Sequence, residues 1–207
     1  GPFVAANLLR PVDDIVDLGA YVESVRMDGN TWAVPISSGN HLMLMYNTDL
    51  VPEPPETTAE LIEMGQELTQ GDTYGLVYNA TEPFWLVPWL GGFDGQVFAD
   101  DGVTPTLDTT AMESTLQFLH DLEFEYGIVP TESDYASMDT LFKEGNAAMI
   151  VNGDWSIGGY REAMGDSFAV ARLPEVESTG EYPKPYTYGK YFMIPRTLEG
   201  NKLATVV

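Results

Sequence analysis

The sequence predicts an α/β protein, and three observations support that fold class. Stretches with the apolar pattern of strands alternate along the chain with stretches that have the periodicity of helices, and short breaks separate them. Of the 207 residues, 44% are hydrophobic and 12% aromatic, which is enough for one substantial core or two smaller ones. No internal repeat or low-complexity tract interrupts the alternation.

The elements follow one another without long gaps. In chain order the sequence predicts strands at 31–38 and 41–50, a helix at 58–70, a strand at 73–80, a short helix at 82–92, a surface hairpin at 93–109, a long helix at 109–127, a helix end at 142–145, a strand at 147–151, strands at 167–174 and 185–195, and the first turns of a helix at 198–207.

Local signals justify these assignments. Thr57 stands three residues before Glu60, so each side chain can accept an amide of a helix's first turn. Asp-Gly pairs at 94–95 and 101–102 suit the tight turns of a hairpin. The long helix has an apolar stripe and a terminal Gly127, and the stripe consists of Met112, Leu116, Leu119 and Leu122.

Charge and composition exclude several classes of function. Nine basic against 32 acidic side chains give a formal net charge of −23, which repels phosphate backbones and anionic lipid, so we expect no nucleic-acid partner. This charge is typical of a solvated, salt-tolerant surface. Cysteine is absent, which excludes disulfides, thiolate catalysis and cysteine-ligated zinc. No apolar run approaches the roughly 18 residues of a membrane span.

The apolar run AAMIV (147–151) ends in an informative way. Asn152 and Gly153 lead from the predicted strand to Asp154 and Trp155. We expect Asp154 to cap the next helix and Trp155 to lie at the start of that helix, on the rim of the sheet. Ligands of open α/β sheets bind outside the carboxyl ends of the strands, which makes Trp155 a candidate ligand contact. The alternative is a ring that fills the sheet edge.

The segment NATEPFWLVPWLGG (79–92) combines a carboxylate with indoles. If Thr81 caps a helix here, Glu82, Trp85 and Trp89 fall at i, i+3 and i+7 on one face. A carboxylate beside indoles suits a sugar, whose C–H faces stack on aromatic rings while its hydroxyls need charged acceptors. Aromatic residues at helical spacing are more often core residues, and Trp89 is expected to be one.

Motifs of metal and nucleophilic chemistry are missing from the sequence. The two histidines, His41 and His120, are far apart and lack metal-ligand spacing, so both are interpreted as structural or surface groups. No HExxH, GxSxG or phosphate-loop pattern occurs. We therefore predict no cofactor and no metal.

Four stretches in order resemble the extracytoplasmic solute-binding proteins of ABC importers, in the branch of the maltose/maltodextrin-binding proteins. They are YNTDLVPEPPETTAELIEMGQEL, YNATEPFWLVPWL, LQFLHDLEFEYGIVPTESDYASMDTLFKEGNAAMIVNGDW and YGKYFMIP. The most specific feature is the series of phenylalanine, glycine, AM and glycine-x-tryptophan in residues 142–155.

The resemblance implies an α/β protein of the type II periplasmic-binding-protein-like class, a clamp of two lobes that close on a sugar. The chain would pass between the lobes several times. Residues 1–45 would be a partial N-terminal lobe with the first crossover, 46–187 the C-terminal lobe and 188–207 the return crossover. The family's first βα units and last helices have no counterpart here, and we expect a piece of a longer chain.

Site residues carry over from the resemblance one at a time. Glu82 matches an acceptor of sugar hydroxyls, Phe84 stands at the position of a stacking tyrosine, and Trp85 replaces a neighbouring aromatic residue. Tyr135 matches a ligand-contacting tyrosine, and Trp155 matches a tryptophan that stacks on a glucosyl ring. The family's acidic residue before the second crossing strand falls near Asn40, with one extra residue in the loop.

The function that the resemblance implies is binding of maltose or a maltooligosaccharide outside the cytoplasm for delivery to the membrane subunits of an ABC importer. The protein would be a monomer, periplasmic or membrane-anchored on the outer face as a lipoprotein, and not an enzyme. A carbohydrate-sensing ectodomain is an alternative with the same fold and site. A glycoside hydrolase that uses Glu82 with Asp94 or Asp154 is the enzymatic alternative.

Overall fold

The computed structural model describes residues 1–14 and 25–206 and contains a mixture of helices and strands that confirms the predicted α/β class. In chain order the elements are α1 (Pro2–Ala5), β1 (Arg26–Met27), β2 (Asn30–Thr31), β3 (Val34–Gly39), β4 (Leu42–Asn47), α2 (Thr58–Leu68), β5 (Tyr74–Val77), α3 (Val87–Gly92), α4 (Thr110–Phe124), α5 (Tyr135–Lys143), β6 (Ala147–Gly153), α6 (Ile157–Met164), β7 (Phe168–Ala171), β8 (Tyr188–Phe192) and α7 (Gly200–Val206).

The chain divides into two compact units, Gly1–Gly39 with Thr187–Val207, and Asn40–Tyr186. The assignment of such units to the lobes of a clamp stays a prediction. Part of the predicted first lobe segment, residues 15–24, lies outside the described residues.

In the first unit, β3 pairs antiparallel with β8, and the register shifts between Pro35 and Ser37. β1 and β2 pair antiparallel as a hairpin, and residues 28 and 29 form its turn. Both carboxylate oxygens of Asp13 accept the amide of Thr31, at 3.0 and 2.9 Å, and these hydrogen bonds lower the pKa of Asp13. Strand pairing and the hydrogen bonds between Asp13 and Thr31 thus contribute to the stability of this unit.

The second unit is built on a four-stranded sheet in the order β5-β6-β4-β7. β6 lies inside this sheet, parallel to β5 and antiparallel to β4, and all seven of its residues are buried. A strand that is buried on both faces reads as a continuous apolar run, which is why AAMIV could be recognised in the sequence. The end of β6 is fixed by the register Leu42↔Gly153, which places the residues after Gly153 beside the start of β4.

Helix caps agree with the sequence in part. The hydroxyl of Thr57 accepts the amide of Glu60 at 3.2 Å, as predicted for the start of α2. The carboxylate of Glu60, however, accepts the amide of Glu56 at 2.7 Å, one residue earlier than the capping box requires. Two side-chain acceptors, the Thr57 hydroxyl and the Glu60 carboxylate, therefore stabilise the start of α2.

The predicted apolar stripe of α4 is wrong at one position. Leu116 is 52% exposed, whereas Thr115 and Leu122 are fully buried. Thr115 is therefore buried where Leu116 was expected to be, and its hydroxyl is satisfied by donating to the carbonyl of Ala111 at 2.7 Å. None of the helices in the described ranges has the length and apolarity that a membrane span requires.

Candidate functional site

Trp155 lies directly after the buried strand β6, as the sequence predicts. Residues Asp154–Ser156 form a single 3-10 turn, and the Ser156 hydroxyl donates to the Gly153 carbonyl at 2.7 Å to close it. Trp155 is 42% exposed although it follows seven buried residues. The ring therefore lies at the carboxyl end of β6 with part of its surface open to solvent, and it does not fill the core.

Three other aromatic residues surround the Trp155 ring, and we call the four together the aromatic cluster: Phe84, Trp85, Tyr135 and Trp155. The Trp155 Nε1–H donates to the Tyr135 hydroxyl oxygen at 3.0 Å. The Trp155 ring lies 6.5 Å from Trp85 in an edge-to-face arrangement at 87° and 6.3 Å from Phe84 at 44°. These are the separations and tilts that aromatic pairs favour.

Tyr135 is held in the aromatic cluster by the start of its helix. It is the first residue of α5, whose N-cap Asp134 accepts the Ser137 amide at 2.8 Å, while the Asp134 amide donates to the Ser137 hydroxyl oxygen at 3.1 Å. The hydrogen bonds from Ser137 lower the pKa of Asp134 and thus favour the ionised form of the cap. This capped first turn positions the backbone of Tyr135, and the residue is 38% exposed.

Trp85 forms the buried base of the aromatic cluster. It is only 3% exposed, and its Nε1–H donates to the Val151 carbonyl of β6 at 2.8 Å. Its ring meets Phe84 at 5.6 Å and Tyr135 at 5.9 Å, both edge-to-face. Trp85 therefore anchors the aromatic cluster to the sheet, while the other members carry the exposed surface.

The predicted common face of Glu82, Trp85 and Trp89 is wrong. Pro83–Trp85 form a 3-10 turn, α3 begins only at Val87, and Thr81 donates its hydroxyl to Asn79 at 2.7 Å instead of capping a helix. Trp89 is 1% exposed and belongs to the core, as expected from its spacing. The break in helical geometry places the carboxylate and the two indoles in different surroundings.

Two clefts flank this segment. Glu82, whose carboxylate accepts the Asn79 amide at 3.2 Å, lines a cleft of about 310 Å³ that it shares with His120 of α4. A larger cleft of about 580 Å³ lies beside α3 and is lined by Leu90, Lys184 and Tyr186. We place the candidate site at the aromatic cluster, with Glu82 in the smaller cleft that Trp85 also lines, rather than in the larger cleft, because exposed rings offer the more specific chemistry.

Asp154 does not cap the helix that follows it. Both of its carboxylate oxygens accept the backbone amide of Asn40, each at 2.9 Å, and its own amide donates to the His41 carbonyl at 3.3 Å. Asn40 adopts a positive φ of 61°, which asparagine tolerates. The turn that carries Trp155 is thus tied to the start of β4, and Asn40, a predicted ligand contact, takes part through its backbone.

The aromatic cluster provides stacking surface and a small number of polar groups. Because the indole N–H of Trp155 is used by Tyr135, the exposed part of Trp155 can offer only its ring face. The Tyr135 oxygen accepts this bond, which leaves its own proton for donation to another group. A flat apolar face beside a hydroxyl donor suits a ligand with one C–H face and several hydroxyls.

Sequence reasoning missed two supports of the site. The link from Asp154 to Asn40 joins residues 114 positions apart, and no local pattern indicates such a pair. The close approach of the Trp155 ring to Gly153 was missed as well, although the glycine two residues before a tryptophan was visible in the sequence.

Known proteins resemble this chain in sequence and in fold. A family model described as bacterial extracellular solute-binding protein matches residues 1–206. The maltotriose-binding protein of Pyrococcus abyssi is 30% identical over 197 residues, which are 90% of this chain and 42% of that protein. The chain thus spans less than half the length of this curated relative.

Two solved structures also match. The maltose/maltodextrin-binding domain MalE from Bdellovibrio bacteriovorus bound to maltotriose is 36% identical with a TM-score of 0.81, over 99% of this chain and 57% of that chain. The maltotriose-binding protein of Thermus thermophilus bound with maltotriose is 30% identical with a TM-score of 0.80, over 100% of this chain and 57% of that chain. The predicted periplasmic-binding-protein fold class and the resemblance to maltose/maltodextrin-binding proteins are confirmed. The chain belongs to the bacterial extracellular solute-binding protein family.

Proposed function

We propose that the complete protein binds an α-linked glucosyl oligosaccharide and delivers it unaltered to the membrane subunits of an ABC importer. Maltotriose is the first ligand to test. Phe84, Tyr135 and Trp155 would supply stacking surface and a hydroxyl donor, and Glu82 would accept sugar hydroxyls. Trp85 would support the three rings from below, and Asn40 would hold the turn that carries Trp155.

One observation carries this proposal. The aromatic cluster presents a 42% exposed indole at the carboxyl end of a fully buried strand, with its N–H already bonded to Tyr135. The exposed part of this anchored ring is apolar area that a ligand could cover with a gain in free energy. Membership in a solute-binding family and likeness to two structures bound to maltotriose support a sugar as that ligand.

Calorimetry on the complete protein tests the ligand class. We expect saturable heat with maltotriose and maltose, and trehalose measures the importance of the linkage between the glucosyl units. An amino acid and a short peptide serve as controls. Binding of either control, with no heat from the three sugars, would contradict the proposal.

The proposal also states that the sugar leaves unchanged. A glycoside hydrolase would need two free carboxyl groups flanking the scissile bond. Asp154, one candidate partner of Glu82, has both oxygens engaged by the Asn40 amide. Prolonged incubation with maltotriose followed by chromatography should recover maltotriose alone, and the appearance of glucose and maltose would support the enzymatic alternative instead.

Location and assembly form the last part of the proposal. The protein would work outside the cytoplasm, periplasmic or lipid-anchored on the outer face, as a monomer and without a nucleic-acid partner. The family description supports the extracellular location, and the charge of −23 supports the exclusion of nucleic acid. Sedimentation of the complete protein at several concentrations checks the monomer.

A further inference from the structure

The ring of Trp155 lies directly on the backbone of Gly153. A Cβ atom added to Gly153 would overlap Cζ3, Cη2 and Cε3 of the indole, far inside the ~3.5–4.0 Å at which carbon atoms pack. These three atoms form the outer edge of the six-membered part of the ring. The space that Trp155 occupies exists because residue 153 has no side chain.

The backbone of Gly153 does not itself require glycine. Its φ and ψ are −91° and 164°, an extended conformation that alanine adopts without strain. Gly153 is also the last residue of β6 and pairs with Leu42 across the sheet, so its position is set by the strand ladder. The three atoms nearest to a Cβ at this position all belong to the Trp155 ring, so this ring is the main demand for glycine here.

We infer that Gly153 is a positioning residue, which fixes the orientation of Trp155 for ligand stacking by leaving room for the indole against the strand. This inference rests on the proposed function for the role of the stacking, but the contact itself can be tested without a ligand. If a methyl group occupied the space, the outer edge of the ring would have to move, because the backbone of a buried strand yields less than a half-exposed side chain.

Movement of the ring would break the other contacts of Trp155. Its Nε1–H bond to Tyr135 and its packing on Phe84 and Trp85 all depend on one orientation. Gly153 would thus act on the ligand only through Trp155, which separates this role from that of a residue that touches the sugar.

The first experiment compares two glycine-to-alanine variants of the complete protein. Gly153→Ala should weaken maltotriose binding by about tenfold or more, equivalent to about 1.4 kcal/mol. Gly158→Ala is the matched control, because a Cβ at that position in α6 meets nothing within 4 Å, and it should bind within about twofold of the parent. The near-ultraviolet circular dichroism of the unliganded protein should change for the first variant and not for the second.

A double-mutant cycle with Trp155→Ala isolates the mechanism. When the indole is absent, Gly153→Ala should have little further effect on affinity or on the midpoint of urea unfolding, because the three atoms that lie nearest to the methyl group have been removed. An equal loss in both backgrounds would overturn the inference and assign Gly153 a backbone role. Unchanged binding and unchanged dichroism in the Gly153→Ala variant would overturn it as well.

Two further outcomes are distinguishable. If the parent protein binds no sugar, the proposed function fails, but the dichroism and the unfolding cycle still report whether residue 153 positions Trp155. If Gly153→Ala alone does not fold, recovery of folding in the double variant with Trp155→Ala supports the inference, and failure of the double variant contradicts it.

Discussion

Replacement of Trp155 by alanine should weaken maltotriose binding by between about 10-fold and about 80-fold. The side chain is 42% exposed, and a tryptophan can bury about 250 Å², so about 105 Å² is available for a ligand to cover. At about 25 cal/mol per Å², complete coverage is worth about 2.6 kcal/mol and half coverage about 1.3 kcal/mol. Each 1.4 kcal/mol corresponds to a factor of about ten in the dissociation constant.

Calorimetric titration of the complete protein measures this effect. More than half of Trp155 is covered by its neighbours, so the variant also loses packing, and the titration belongs at a temperature where the variant is fully folded. Trp89→Phe serves as a control because Trp89 is buried in the core against Phe118, at a ring distance of 5.0 Å. This control should lower the melting temperature and leave the affinity within about twofold of the parent.

The opposite pattern would refute the reasoning. If Trp155→Ala bound maltotriose as tightly as the parent while its melting temperature collapsed, the indole would be a structural plug and the ligand would bind elsewhere. A loss of affinity in Trp89→Phe equal to that of Trp155→Ala would show that both changes act through general destabilisation.

Three further results are expected. Asp154→Ala removes the acceptor of the Asn40 amide and should lower the free energy of unfolding, measured in urea, by about 1 kcal/mol. Asp139→Ala is the comparison: it breaks the i,i+4 ion pair with Lys143 and should lower the free energy of unfolding by about 0.5 kcal/mol or less. Raising the NaCl concentration from about 0.02 M to about 1 M should increase the melting temperature, because salt screens the self-repulsion of a chain with net charge −23; a fall would contradict this. Burial raises the pKa of the Tyr78 and Tyr160 phenols, so the stability that these neutral phenols contribute is complete below the unfolded pKa of about 10 and is lost as the pH rises further. An ultraviolet titration of the folded protein measures this effect, and ionisation of every tyrosine near pH 10 would refute the prediction.

Elements with a strong local signal could be predicted from the sequence. The continuous apolar run of β6 and the position of Trp155 after it follow from burial on both faces of an inner strand. The hydroxyl cap of Thr57 at the start of α2 follows from a pattern only four residues long. In each case the determining residues are neighbours in the chain, so the sequence contains the whole signal.

Features that depend on tertiary contacts could not be predicted in the same way. The periodicity of residues 81–92 suggested one helical face, but the Trp85 indole reaches the Val151 carbonyl 66 residues away and the chain forms a 3-10 turn there. Asp154 has the residue type of an N-cap, yet it accepts an amide 114 residues earlier in the chain. Local propensity indicates what these side chains can do, and long-range partners decide which of their options is used.

The anchoring of the aromatic cluster has a consequence for recognition. Trp85 bonds the strand, Trp155 bonds Tyr135, and the rings contact one another edge to face, so little side-chain freedom remains to be lost when a ligand binds. Each rotamer-rich side chain that must be immobilised on binding costs about 0.5–1.5 kcal/mol, and a pre-formed cluster avoids most of that cost. Because the indole N–H already donates to Tyr135, however, Trp155 cannot form a hydrogen bond with the hydroxyls of a ligand. In the proposed site the stacked rings therefore set the strength of binding, and discrimination between one sugar and another falls to Glu82 and the Tyr135 hydroxyl.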